Sequence, residues 1–146
     1  MTPQDRAAKC AELMFARDRA SPGLGMQIKT VGPGTAVMTM KVRPDMLNGH
    51  DICHGGFIFA LADSAFAFAC NSHNRNAVAQ QNQITYLAPG KEGETLTATA
   101  TEVSLSGRSG VYDVTVTGAD GRSVALFRGL SRTVNGQHFP EEDHTA

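Results

Sequence analysis

"NGHDICHGGFIFALADSAFAFAC", residues 48–70, is the stretch on which the reading of this 146-residue chain turns. Its last fourteen residues, Phe57 to Cys70, are apolar except for the adjacent pair Asp63 and Ser64. Their Ala, Leu and Phe content favours helix over strand, which predicts a long helix over about residues 55–72. A helix that is apolar all round needs partners all round, so it belongs inside a sheet curled about it. It begins at Gly55-Gly56 with no Ser, Thr, Asp or Asn directly ahead, so its first N–H groups are expected to lack a side-chain cap.

The flanks supply that sheet. On the N-terminal side, QDRAAKCAELMFARDR sets Ala7, Cys10, Leu13 and Met14 on one stripe and predicts a helix over about 4–19, stopped by Ser21-Pro22-Gly23. LGMQIKTVGPGTAVMTMKV then reads as two strands hinged on Gly32-Pro33-Gly34. After the apolar run the period changes to two. Residues 77–87, 94–104 and 110–118 alternate, and Asp120-Gly121 turns the chain into a last strand, RSVALFRGLSRTV. The tail, about 136–146, is expected to be frayed. The order makes one α+β domain over 1–146: a curved antiparallel sheet around a long central helix, with an N-terminal helix.

Composition narrows the function. The net charge of −1, with no run of Lys or Arg, gives little footprint for nucleic acid. Three cysteines, Cys10, Cys53 and Cys70, form neither a disulfide framework nor a zinc spacing. The N-terminus shows no signal-peptide core. The apolar run falls short of the ~20 residues of a membrane span and carries Asp63. The expectation is a soluble, cytoplasmic protein.

A helix start presents N–H groups and partial positive charge, and a Gly-Gly start lets another molecule come close to them. Such an end suits a developing oxyanion. It serves equally if Gly55 and Gly56 merely pack against a strand, or if Asn48 or Asp51 folds back as a cap. Asp63 is the stronger signal, because desolvation makes an unpaired carboxylate costly in apolar surroundings unless backbone or Ser64 satisfies it. A retained one suits a catalytic base or nucleophile. Eight residues separate Gly55 from Asp63, about 12 Å of helix rise, too far for both to touch one carbonyl. If both act, a site is shared between two copies with their helices antiparallel. His50 and His54 have a metal-ligand spacing but no clear third ligand, so no metal and no cofactor are expected. Cys53-His54, as neighbours, make a poor nucleophile–base pair.

These residues resemble a known family. "MLNGHDICHGGFIFALADSAFAFACNS", with "GVYDVTVT" and "VALFRG" further on, is similar to hotdog-fold acyl-CoA thioesterases of the phenylacetate-degradation (PaaI) group. The likeness runs from about residue 24 to residue 133. It implies the hotdog fold, hydrolysis of acyl-CoA thioesters with aryl-acetyl or hydroxylated phenylacetyl groups, and homodimers with shared sites assembled as a homotetramer. By resemblance, Gly55 donates its N–H to the thioester carbonyl, Asn48 and His54 help polarise or position it, and Asp63 activates water or attacks directly. Some relatives carry a water-orienting Ser on the strand after the helix. Here that strand reads Ala77-Val78-Ala79-Gln80-Gln81-Asn82, and Gln81 is the candidate replacement. Gly56 and Arg108 complete the expected substrate contacts; of the scattered Arg75, Lys91, Arg108, Arg128 and Arg132, most are expected on the solvated surface and one or two are expected to hold phosphates. The alternatives are an acyl-thioester dehydratase or hydratase of the same fold, and a non-catalytic acyl-CoA-binding module.

Overall fold

The first helix, α1 (Pro3–Arg17), is set by its ends: Thr2 and Asp5 form a reciprocal capping box, Pro3 enters the first turn, and Arg17 lies in the last. The computed structural model describes residues 1–142. Asp18 ends α1 two residues earlier than its sequence pattern suggests, and Ser21-Pro22-Gly23 falls in a separate short turn of helix, α2 (Ala20–Gly23). There follow strands β1 (Gln27–Gly32) and β2 (Thr35–Lys41), a 3-10 turn at Pro44–Met46, and the central helix α3 (Gly55–Cys70). Strands β3 (Ala77–Tyr86), β4 (Thr95–Ser106), β5 (Ser109–Thr117) and β6 (Ser123–Thr133) complete the order.

The six strands form one sheet in the order β1-β2-β4-β5-β6-β3, antiparallel throughout. Alternation decides which face meets the helix. Leu96, Ala98 and Ala100 of β4 and Tyr112, Val114 and Val116 of β5 are buried, while Thr residues between them face out. They enclose Ile58, Leu61, Ala62, Ala65 and Phe66 of α3. At Gly129 of β6 a Cβ would stand 2.7 Å from the Phe66 ring, so glycine there is what lets the helix lie this close to the sheet.

Three expectations are corrected. The helix is not buried on all sides: Gly56, Ala60, Asp63 and Ala67, spaced 4, 3 and 4 apart, form a partly open stripe. It ends at Cys70 rather than 72, where Asn71 caps it. The tail is not frayed through Glu141. Phe139 is buried, the Asn74 side chain binds the backbone of both His138 and Phe139, and Arg6 pairs with Glu141 at 2.9 Å. Polar anchors that pair with nothing local in sequence hold it, which is why its composition reads as loose. Residues 143–146 of that tail lie outside the described residues.

Candidate active site

Residues 47–53 fold into a small hairpin, with Leu47 bridged to Cys53 and Asp51 in the left-handed region at φ 58°. Asn48 organises it: its side-chain oxygen accepts the N–H groups of His50 (2.8 Å) and Ile52 (3.4 Å). That leaves the Asn48 amide nitrogen as the outward donor. Asn48 is therefore not the helix cap.

The start of α3 is capped after all. His54 Nδ1 accepts the Gly56 N–H at 3.0 Å. Histidine is not among the common N-cap residues, which is why this cap does not show in the sequence. Accepting through Nδ1 leaves Nε2–H of a neutral ring as a donor. A Cβ at Gly56 would lie 3.2 Å from that Nδ1. The Gly55 N–H makes no hydrogen bond with any described residue, while the Gly55 carbonyl accepts from the Tyr86 hydroxyl at 2.8 Å. A Cβ on Gly55 would meet the Tyr86 ring at 3.0 Å. The glycine pair thus makes room for an imidazole and a phenol, and it leaves one N–H at the positive end of the helix available.

Asp63 is half-buried on the open stripe, where Asn82 Nδ2 donates to its Oδ1 at 3.0 Å. Burial raises the Asp63 pKa, and the Asn82 donor works against that rise. Ser64 does not satisfy it; that hydroxyl meets the Ser21 hydroxyl at 3.0 Å. Neither Asn82 nor Tyr86 stood out in the sequence. Both lie on β3, and between Ala79 and Gln81 that strand carries a bulge. Before the bulge Ala79 pairs with Ser131; after it Asn82, Ile84 and Tyr86 pair with Gly129, Phe127 and Ala125. One extra residue moves the helix-facing positions from odd to even numbers. Gln81 is consequently exposed, and Asn82 is the residue that stands beside the carboxylate.

Helix and strand run alongside in matching steps. From Gly55 to Asp63 the helix rises about 12 Å, and from Tyr86 back to Asn82 the strand spans about 13 Å. Gly55 and Asp63 line separate cavities in one chain. Asn48, Gly55, Ile58 and Tyr86 border one of about 390 Å³. Asp63, Phe68, Arg17 and His138 border another of about 450 Å³. Arg108 joins neither. It is exposed in the β4–β5 turn, its carbonyl bound by Thr133 N–H, at the sheet end where Ala77 pairs with Thr133. Gly55 is at the opposite end, beside Tyr86, so a contact from Arg108 to the same chain's helix start is ruled out by distance. His50 is exposed, and among the described residues no three His, Cys, Asp or Glu side chains gather as a metal site. Burial pushes the Cys53 thiol up to about 11, a poor nucleophile.

Comparison with known proteins shows the family. The model of the thioesterase superfamily matches residues 50–125. Acyl-coenzyme A thioesterase PaaI of Escherichia coli K12 is 45% identical over 131 residues, 90% of this chain and 94% of that protein. The solved structure of the E. coli PaaI protein, from the phenylacetic acid degradation operon, superposes with a TM-score of 0.92 at 43% identity, covering 93% of this chain and 99% of that one. A hypothetical thioesterase protein from Streptococcus pneumoniae TIGR4, solved with coenzyme A, has a TM-score of 0.73 at 30% identity, covering 77% of this chain and 90% of that one. With its antiparallel sheet wrapped on α3, the chain belongs to the thioesterase superfamily and is a hotdog-fold acyl-CoA thioesterase.

Proposed function

We propose that the chain hydrolyses aryl-acetyl-CoA thioesters, phenylacetyl-CoA and its hydroxylated forms among them, at sites each built from two copies. One observation carries the shared site: a donor-bearing helix start and a half-buried carboxylate stand about 12 Å apart on one helix, in separate cavities. A two-fold axis level with Phe59, midway between Gly55 and Asp63, brings each Asp63 to the partner's helix start. On β3 the same level is Ile84, midway between Asn82 and Tyr86. β3 is an edge strand with Val78 and Tyr86, and Leu87 just past its end, about half exposed, the kind of edge that a second copy covers. The resemblance extends this to a homotetramer of two such dimers. Three buried free thiols suit a reducing cytoplasm, and among the described residues no helix is long and apolar enough to cross a membrane.

In this reading the thioester oxygen accepts the Gly55 N–H, with Asn48 Nδ2 and His54 Nε2–H as further donors to the charge that develops on it. Asp63 of the second copy takes a proton from water as the water oxygen attacks the carbonyl carbon. Collapse of the tetrahedral intermediate breaks the C–S bond, and the proton on Asp63 passes to the departing thiolate. Asn82 holds one carboxylate oxygen and leaves the other for water. A raised carboxylate pKa makes a stronger base, provided the group stays ionised, which is what the Asn82 donor favours.

Thiol release from a panel of acyl-CoAs tests the substrate class. The expected result is the highest kcat/KM on aryl-acetyl thioesters; a preference for long alkyl chains would overturn it. Asn48→Ala is expected to lower kcat by ~10- to 1000-fold with little change in KM, as for loss of one carbonyl-stabilising donor. A rise in KM alone would instead make Asn48 a ground-state contact. Asn82→Leu is expected to move the acidic limb of the kcat/KM profile to higher pH. The base works only when ionised, activity is lost as pH falls through its pKa, and removing the donor raises that pKa further. An unmoved limb at reduced activity would reduce Asn82 to a packing role.

A further inference from the structure

His54 can donate through Nε2 in only one tautomer, and toward a ligand in only a narrow range of ring orientations. It is an exposed side chain followed by two glycines, surroundings that by themselves leave the imidazole and the backbone free to turn. Two contacts remove that freedom. Nδ1 accepts the Gly56 N–H at 3.0 Å, and the Phe57 ring meets the imidazole edge-on with centroids 6.2 Å apart.

The Gly56 N–H is half of a planar peptide group whose other half is also engaged. The carbonyl oxygen of that unit, on Gly55, accepts the Tyr86 hydroxyl at 2.8 Å. The phenol comes from β3, 31 residues further along the chain. Glycine at 55 is the condition for its approach, since a Cβ there would lie 3.0 Å from both the Tyr86 hydroxyl oxygen and Cζ. Burial raises the Tyr86 pKa, so the phenol keeps the proton that it donates. The Tyr86 hydroxyl, the Gly55–Gly56 peptide and the His54 ring thus form one chain in which each member donates to the next. A hydroxyl on a peptide oxygen draws electron density from the attached N–H and makes it a better donor. A better donor on Nδ1 keeps a proton off that nitrogen and draws density from the ring. Nε2–H, at the far end of the chain, becomes the stronger donor in turn.

We propose that Tyr86 is a positioning residue for the reaction: through the Gly55–Gly56 peptide it fixes His54 as the Nε2–H tautomer and strengthens that N–H as a donor to the thioester oxygen. This rests on the thioesterase site proposed above, with His54 as one of its donors. The Tyr86 hydroxyl is engaged by Gly55, so its effect reaches the substrate through His54.

The test is Tyr86→Phe in the whole chain, which keeps the ring against Gly55 and removes only the hydroxyl. On phenylacetyl-CoA it is expected to lower kcat by about 3- to 10-fold at unchanged KM, the scale of one hydrogen bond. The same substitution is then made in two backgrounds. On top of Asn48→Ala, a separate donor, the loss is expected to persist in full. On top of His54→Ala it is expected to shrink to near one, because the chain is already cut. A second readout needs no substrate. In NMR spectra of the free protein, Tyr86→Phe is expected to move the Gly56 amide proton upfield and to speed its hydrogen exchange several-fold. His54→Ala supplies the reference for complete loss of that bond. Equal losses in the two backgrounds, or a Gly56 amide that does not respond, would overturn the role of Tyr86. Full activity of His54→Ala alone would bring down the donor role of His54 in the site proposed above and this role with it. A loss in His54→Ala with none in Tyr86→Phe would bring down only the role of Tyr86.

Discussion

Asp63→Asn is expected to lower kcat on acyl-CoA thioesters by at least ~100-fold, the scale of a lost general base. The replacement is nearly isosteric, and its amide oxygen still accepts from Asn82, so the hydrogen bond at 3.0 Å has a counterpart. Thermal melting separates the catalytic role from a structural one. Burial raises the folded-state pKa of Asp63 above its unfolded value. A group shifted that way binds more protons folded than unfolded, so it lowers stability as pH rises through that window. Removing the charge should leave the melting temperature at pH 7 unchanged or slightly higher. Near wild-type turnover would remove Asp63 from the mechanism. A large drop in melting temperature would mark it as a structural carboxylate whose loss of activity is secondary.

Mixing two inactive variants should restore activity. Asn48→Ala and Asp63→Asn are each expected to be nearly inactive alone. In a mixed dimer, one site takes both intact groups and the other takes both substitutions. With random pairing after unfolding and refolding in equal amounts, half the dimers are mixed and half of their sites are intact. Activity should therefore recover to about a quarter of wild type. The gain over the Asp63→Asn parent is at least about 25-fold, and the gain over the Asn48→Ala parent runs from about 2.5-fold upward with the loss that variant shows alone. A refolded mixture no more active than its parents, with subunit exchange demonstrated by mass spectrometry, would sink the shared site. It would also require either the helix start or Asp63 to leave the reaction, since one chain keeps them about 12 Å apart.

Much of the architecture is written in patterns that act over a few residues. The apolar residues between Phe57 and Cys70 demand burial whatever surrounds them, and the alternation of Leu96, Ala98 and Ala100 and of Tyr112, Val114 and Val116 assigns one face to the helix before any partner is known. The turns at Gly34 (φ 71°) and Gly121 (φ 85°) are local for the same reason, since few residues but glycine adopt that backbone freely. The separation of Gly55 from Asp63 is equally a property of the chain, because the rise of a helix does not depend on its neighbours.

What the sequence left undetermined depends on groups that meet across the fold. The bulge between Ala79 and Gln81 exists only in the pairing of β3 with β6, and it turns Asn82 rather than Gln81 toward the carboxylate. A period-two reading has no means of counting one residue extra. His54 caps the helix by a rotamer that Gly56 leaves room for, and Tyr86 reaches Gly55 across 31 residues of chain. The tail reads as loose because its partners, Arg6 and Asn74, lie far from it in sequence. Local propensity by itself determined the elements of this protein and the two ends of its proposed chemistry. Hydrogen-bond partners distant in sequence decided which side chains stand beside them, because such bonds form only once the sheet has closed on the helix.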